Sequence, residues 1–247
     1  MPHPLVVLHP PGLAATLSLA GAAVVGAGTY AAMAPSSRWF GRTLVAGADP
    51  LQVALTFDDG PNGDTTARLL DKLAAANVKA TFFLVGRYVL AQPEMARRIA
   101  AQGHAIGNHS MTHPHMLLRG PMATQQELAD CSRAIFDTTG VETKLFRPPF
   151  GGRWPHTLWV SKKLGLRPVM WNALGFDWRL TDPTAIAARL LNGIHRNRAE
   201  GVGSNLLLHD GSHKGLGWDR NPTLAAVDRV LQAQGKLSQF VTVDAWL

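Results

Sequence analysis

From Leu51 onward, short apolar runs alternate with longer stretches of helical pattern, and this rhythm restricts the fold more than any other feature of the 247-residue chain. Leu51 to Phe57 reads as a buried strand, Thr65 to Ala76 as a helix and Ala80 to Val85 as a second strand. A helix over Glu94 to Gln102, a brief strand at Ala105 to Gly107 and a helix over Thr124 to Thr138 follow. Thr124 and Glu127 have the spacing of a capping box. Leu145 to Phe146 is a very short strand, Pro155 to Leu164 a helix and Arg167 to Trp171 a strand. Asp182 with Pro183, and Asn221 with Pro222, each put a capping side chain before a proline at the first helical position. They open helices that end near Asn197 and Gln234, with strands at Asn205 to His209 and Phe240 to Val243. About seven strands with intervening helices predict an α/β fold, a β/α barrel or a related open sheet. Residues 51–247 read as one domain without an internal repeat.

The first 50 residues are of another kind. No Lys, Arg, Asp or Glu occurs between Met1 and Ser37, and Gly12 to Ala34 is an unbroken run of apolar, small and weakly polar residues. About 20 such residues in a helix cross a bilayer core. Residues 1–35 are therefore expected to form a hydrophobic helix that serves as a membrane anchor or export signal, meeting the membrane through residues 12–34, with residues 36–50 as a linker. A buried Ala/Gly-rich helix and a cleaved signal peptide are the alternatives; the latter lacks the usual basic start. Arg38 and Arg42 follow the run, and a positive-inside argument would keep the domain in the cytoplasm. That opposes the export reading, which the chemistry below favours, with the domain in the periplasm or outside the cell.

The formal charge of +7 falls entirely downstream of this segment. A basic surface draws anionic partners, but the cations are scattered and no helix-turn-helix, zinc-finger or basic-zipper pattern occurs, so no nucleic-acid partner is expected. Cys131 is the only cysteine, which excludes an intrachain disulfide, and its mid-helix position suits a core thiol.

Active groups in β/α folds sit at the carboxyl ends of strands. Asp58 and Asp59 end the first strand, ahead of a Gly60-Pro61 turn; adjacent side chains diverge, so one carboxylate can hold a metal ion while the other faces a reacting water. His109 and His113 follow the third strand four residues apart, and in a helical turn they would share one face and one ion. His104 and His115 are expected in surface or supporting roles. Arg147, stiffened by Pro148 and Pro149, ends the fourth strand and is placed to pair with Asp58 and keep it ionised. His209 ends the buried run Leu206 to Leu208, where a group separate from the metal could protonate a leaving atom. Together these residues predict a divalent-metal hydrolytic site.

The motifs TFDDGP (Thr56 to Pro61), HSMTH (His109 to His113), RPPF (Arg147 to Phe150), FDW (Phe176 to Trp178) and LLLHD (Leu206 to Asp210) stand in an order that resembles the polysaccharide deacetylase family, also called the NodB homology domain or carbohydrate esterase family 4. The resemblance covers roughly Leu51 to Val243. It implies a distorted, incompletely closed (β/α)7-type barrel and hydrolytic removal of N-acetyl groups from N-acetylhexosamines in a glycan such as peptidoglycan, a chitin-type oligomer or a related envelope polymer. It further implies Asp58 as general base, with Asp59, His109 and His113 as ligands of Zn2+ or, alternatively, Co2+, Ni2+ or Mn2+. Arg147 would orient Asp58, His209 would be the general acid and Asp177 its carboxylate partner. Trp178 and Leu207 would line the acetyl pocket, and the Phe150 backbone N–H would help hold the oxyanion. Leu174 stands where the family often has an acidic residue, and Phe150 where a tyrosine is sometimes found. An O-deacetylase or amidase on another acylated substrate, or an inactive glycan-binding protein, are the competing functions. Trp154, Trp159, Trp171 and Trp218 are candidate sugar-stacking surfaces, Trp218 first among them because Gly215 to Asp219 reads as an exposed loop.

Overall fold

The computed structural model describes residues 26–247. Its central strand, β1 (Gln52–Gly60), is buried at every position but the first, as a strand covered on both faces must be. Val53, Leu55 and Phe57 join the main core with Leu69, Leu70 and Leu73 of α1 (Gly63–Ala75). By the two-residue period of a strand, Ala54, Thr56 and Asp58 face the other way, into the curl of the sheet.

The remaining strands are β2 (Thr81–Leu84), β3 (Ala105–Asn108), β4 (Leu145–Phe146), β5 (Arg167–Pro168), β6 (Ala173–Leu174), β7 (Ser204–His209) and β8 (Gln239–Phe240). They are ordered β5-β4-β3-β2-β1-β7-β6, β8 pairs with the start of β1, and every ladder is parallel. Among the described residues no ladder joins β5 to β6, so the curled sheet is an incompletely closed barrel, as expected. Helices α2 (Gly86–Ala91), α3 (Pro93–Ala101), α4 (Pro121–Thr139), α5 (Pro155–Lys163), α6 (Pro183–Ala199) and α7 (Asn221–Gln234) complete the α/β alternation. Cys131 lies in the core, and burial pushes its thiol up to about 12.

Several local expectations need correction. The single strand expected over Arg167 to Trp171 is cut to β5, and an unforeseen β6 pairs with β7 instead. Val169 meanwhile bridges to Leu44. The final strand stops at Phe240, and Val243–Trp246 is a 3-10 turn. α4 begins at Pro121, three residues before the anticipated cap. A proline at the first helical position lacks the N–H that would be orphaned there, and Thr124 Oγ1 has no hydrogen-bond partner among the described residues. Glu127 instead accepts the Thr112 N–H (2.8 Å) and hydroxyl (2.7 Å). Asp182 does cap α6, accepting the Thr184 N–H at 2.9 Å. Asn221 lies inside α7 with Arg220 at the cap, and its Oδ1 accepts from Arg68 at 2.6 Å.

The segment read as a membrane-spanning helix, residues 12–34, lies largely outside the described residues. Residues 26–33 are helical, and among the described residues no helix is long and apolar enough to cross a membrane. Arg153, buried within the domain, donates to the carbonyls of Ala32 (3.4 Å), Ala34 (2.7 Å) and Ser37 (3.2 Å), which ties the end of that helix to the barrel.

Candidate active site

Strand alternation alone would turn Asp59 away from Asp58. The register of β1 on β2 slips between Asp58 and Gly60, and Asp59 takes φ 70°, which swings its carboxylate back to the rim. The adjacent carboxylates therefore converge on one imidazole, where divergence was expected. His109 Nε2 stands 3.8 Å from Asp58 Oδ2 and 3.5 Å from Asp59 Oδ1. Gly60 is needed at this turn because a Cβ there would overlap the Asp210 carboxylate.

His113 Nε2 lies 3.0 Å from Asp59 Oδ1. The helical turn expected to align His109 with His113 does not form. The two lie in the loop after β3, reversed by positive φ at Ser110 (66°) and His113 (61°). Asn108 Oδ1 accepts the Ser110 N–H and Ser110 Oγ accepts the His113 N–H, which stabilises the reversal. Positive φ in non-glycine residues recurs at Phe150 and Phe176. Such backbone strain, of order 1–3 kcal/mol per residue, persists only where the surroundings over-determine it.

Asp59, His109 and His113 each bring a ligand atom within 4.8 Å of the others, and the donor set fits a divalent cation. His109 Nδ1 is 2.7 Å from the Arg147 carbonyl, which can only accept, so Nδ1 carries the hydrogen and the Nε2 lone pair faces Asp59. Asp59 Oδ1 is buried between the two imidazoles without a hydrogen bond to either, an orphaned anionic oxygen that a cation would satisfy. Burial pushes the Asp59 carboxyl up, but the His109 and His113 imidazoles and the His209 charge outweigh it and hold it well below the usual carboxylate range. Burial lowers His113, favouring the neutral, ligating imidazole.

Arg147 is fully buried. It donates to Asp58 Oδ1 (2.8 Å), Thr56 Oγ1 (2.6 Å), Asn205 Oδ1 (3.2 Å) and the Met170 carbonyl (3.3 Å), and lies 4.1 Å over the Phe83 ring. Asp177 accepts His209 Nδ1 (2.9 Å) on one oxygen, and the His209 N–H (2.8 Å) and Thr223 hydroxyl (2.9 Å) on the other. Burial lowers His209, but Asp177 overrides it and the imidazole is pushed up to about 9. With Nδ1 engaged below, Nε2 is left for the cleft.

The cleft, about 480 Å3, is lined by Asp58, Asp59, His209, Leu207, Trp178 and Phe150 among others. Trp178 meets the His209 ring edge to face at 5.3 Å. Trp171 and Trp218 also line it, whereas Trp154 is turned to the Leu117 carbonyl and Trp159 is exposed on α5. His115 stacks on Phe150 at 3.9 Å. His104 is neither at the surface nor beside the site; it is buried and accepts the Ala80 N–H at 3.1 Å.

A model of the polysaccharide deacetylase family matches residues 47–169. A chitooligosaccharide deacetylase of Rhizobium leguminosarum bv. trifolii is 36% identical over 166 residues, covering 67% of this chain and 74% of that protein. The chain belongs to the polysaccharide deacetylase family. The peptidoglycan-N-acetylglucosamine deacetylase PgdA of Listeria monocytogenes is 32% identical over 193 residues; the match covers 78% of this chain and only 38% of that longer protein. Among solved structures, the Bc1960 peptidoglycan N-acetylglucosamine deacetylase superposes with a TM-score of 0.74 at 28% identity, covering 83% of this chain and 92% of that one.

Around this polysaccharide deacetylase cleft stand residues that sequence reasoning missed. Thr56 and Asn205 are polar positions on the inward face of apolar strands, a signal that could have found them. Thr223, on α7, and His213, whose N–H reaches Asp59 Oδ2 at 3.1 Å, carry no local signal. Asp210, wholly buried, accepts the Thr66 hydroxyl at 2.5 Å, and burial pushes its carboxyl up to about 7.

Proposed function

We propose that the chain is a metal-dependent hydrolase that removes N-acetyl groups from N-acetylhexosamine residues of a glycan and releases acetate. One arrangement carries this reading: a base held by Arg147 and an acid held by Asp177 share a cleft with a three-residue cation site. A divalent ion on Asp59, His109 and His113, Zn2+ first and Co2+, Ni2+ or Mn2+ as alternatives, would polarise the acyl carbonyl and make a water acidic.

Asp58 has one oxygen tied to Arg147, and its other oxygen takes the proton of the attacking water. The Phe150 backbone N–H is the proposed donor to the tetrahedral oxygen, while Trp178 and Leu207 enclose the acetyl methyl. His209, charged through its bond to Asp177, gives its Nε2 proton to the departing amine, which would otherwise leave as an unstable anion. The products are acetate and a free amino sugar, and no covalent acyl-enzyme is involved. The names of the relatives, peptidoglycan and chitooligosaccharide deacetylases, support an envelope or chitin-type glycan. An envelope substrate would place the domain outside the cytoplasm.

The test is acetate release from a panel of N- and O-acetylated glycans, with chelation, metal restoration and the variant Asp58→Asn. Release from N-acetylated glycans should need the metal and fall by about 100-fold or more in the variant. Release indifferent to thorough chelation, an undiminished variant, or release from O-acetylated glycans alone would overturn the proposal.

A further inference from the structure

Among the described residues, three Lys and Arg side chains line the cleft: Arg179, in the loop between β6 and α6, and Lys214 and Arg220, in the loop between β7 and α7. None of them enters an ion pair among the described residues. Arg220 is fixed to backbone, donating to the carbonyls of Gly211 (2.8 Å) and Asp177 (3.4 Å). Lys214 holds its ammonium 5.3 Å from the centre of the Trp218 ring, and Arg179 is exposed. The acids on the cleft wall are already engaged, Asp58 by Arg147 and Asp59 by its imidazoles. Asp219, the sole acid among residues 211–220, accepts the Asn221 N–H at 2.7 Å and does not line the cleft.

Two of these cations also stand on a particular side of the chemistry. Arg179 lies two residues from Asp177, and Arg220 binds the Asp177 carbonyl, so both border the residue that holds His209. In the proposed reaction His209 faces the amine of the sugar, so Arg179 and Arg220 stand near the leaving sugar, while Lys214 follows His213 beside Asp59. A neutral oligosaccharide can take hydrogen bonds from these groups but does not compensate their charge. An anion does: the guanidinium fork binds carboxylate or phosphate through two parallel bonds, and the ammonium serves as a point charge.

We propose that the cleft takes an anionic glycan, in which a sugar next to the N-acyl sugar carries a carboxylate or phosphate recognised by Arg179 and Lys214, with Trp218 as the neighbouring stacking surface. This rests on the deacetylase reading of the same cleft and specifies its substrate class.

The experiment compares three N-acetylated oligosaccharides of equal length: neutral, carboxylated and phosphorylated. They are tested on the wild-type protein, on Arg179→Gln/Lys214→Gln, and on Arg133→Gln, a control on the exposed face of α4. At low salt, kcat/KM for at least one anionic oligomer should exceed the neutral one by about tenfold, mainly through KM, as two partly exposed charge contacts would supply. That ratio should fall below about twofold in the double variant and in high salt, and persist in Arg133→Gln. Which anion is preferred identifies its source. Binding of the same oligomers to chelated protein gives the ratio without turnover. If no oligomer releases acetate, the deacetylase reading fails, while anion recognition is still judged by binding. A ratio near one for both anions, or a ratio unchanged in the double variant, would overturn the proposal.

Discussion

Replacing Arg147 by methionine keeps most of the side-chain volume and removes the charge. In the folded protein the guanidinium is fully buried and, among the described residues, is the one side-chain donor hydrogen-bonded to Asp58, itself 3% exposed. It also serves Thr56, Asn205 and the Met170 carbonyl. Loss of one member of a buried ion pair leaves the other charge in a poorly solvated site and costs about 3–5 kcal/mol. A domain of this size has a net stability of about 5–15 kcal/mol, so the variant should fold but unfold at a much lower urea concentration. Asp58→Leu should be destabilising for the reciprocal reason. The double variant, with neither charge to bury, should be more stable than the sum of the single losses by about 2 kcal/mol or more. Urea unfolding of chelated protein measures all four corners of this cycle without a contribution from metal binding. Single losses below about 1 kcal/mol, or losses that add to within about 0.5 kcal/mol, would show that the pair does not act as a buried unit.

His209 is pushed up to about 9, above the value near 6.5 for an unfolded histidine, so its ion pair contributes full stability below pH 6.5 and loses it as pH rises through 9. An NMR titration should place the imidazole midpoint near 9, and Asp177→Asn should lower it, since burial is then opposed only by the more distant Asp59 and Asp58 charges; a midpoint unmoved by that substitution contradicts the assignment. His104 behaves oppositely: burial, and secondarily Lys79, lowers it to about 4. Its contribution is therefore full above pH 6.5 and is lost as pH falls toward 4, by about 3 kcal/mol. His104→Asn, keeping an acceptor for the Ala80 N–H, should flatten that acid slope in unfolding experiments; an unchanged slope would assign it elsewhere. Arg153→Ala should remove the guanidinium bonds to the Ala32, Ala34 and Ser37 carbonyls, of which the first two keep a backbone donor, costing about 2 kcal/mol, and accelerate hydrogen exchange over residues 26–37. Unaltered exchange there would mean that other contacts hold the segment.

The alternation of strand and helix was legible in the sequence because a buried parallel strand needs a continuous apolar run, as in β1 and β7. The strand-end positions of Asp58, Arg147 and His209 followed from that rhythm, and the ordered motifs carried the resemblance to the family. The sequence could not show that β5 and β6 are two-residue strands, because so short a run has no period to read. Nor could it place Asp59. Strand alternation turns that carboxylate away from the site, and only the bulge against β2, with φ 70°, returns it. The same holds for His109 and His113, which meet through a loop reversed at Ser110, and for Thr223, which reaches Asp177 across 46 residues. Local pattern determined which groups could carry the chemistry. Their convergence depends on backbone conformations and distant partners that the packed barrel alone enforces.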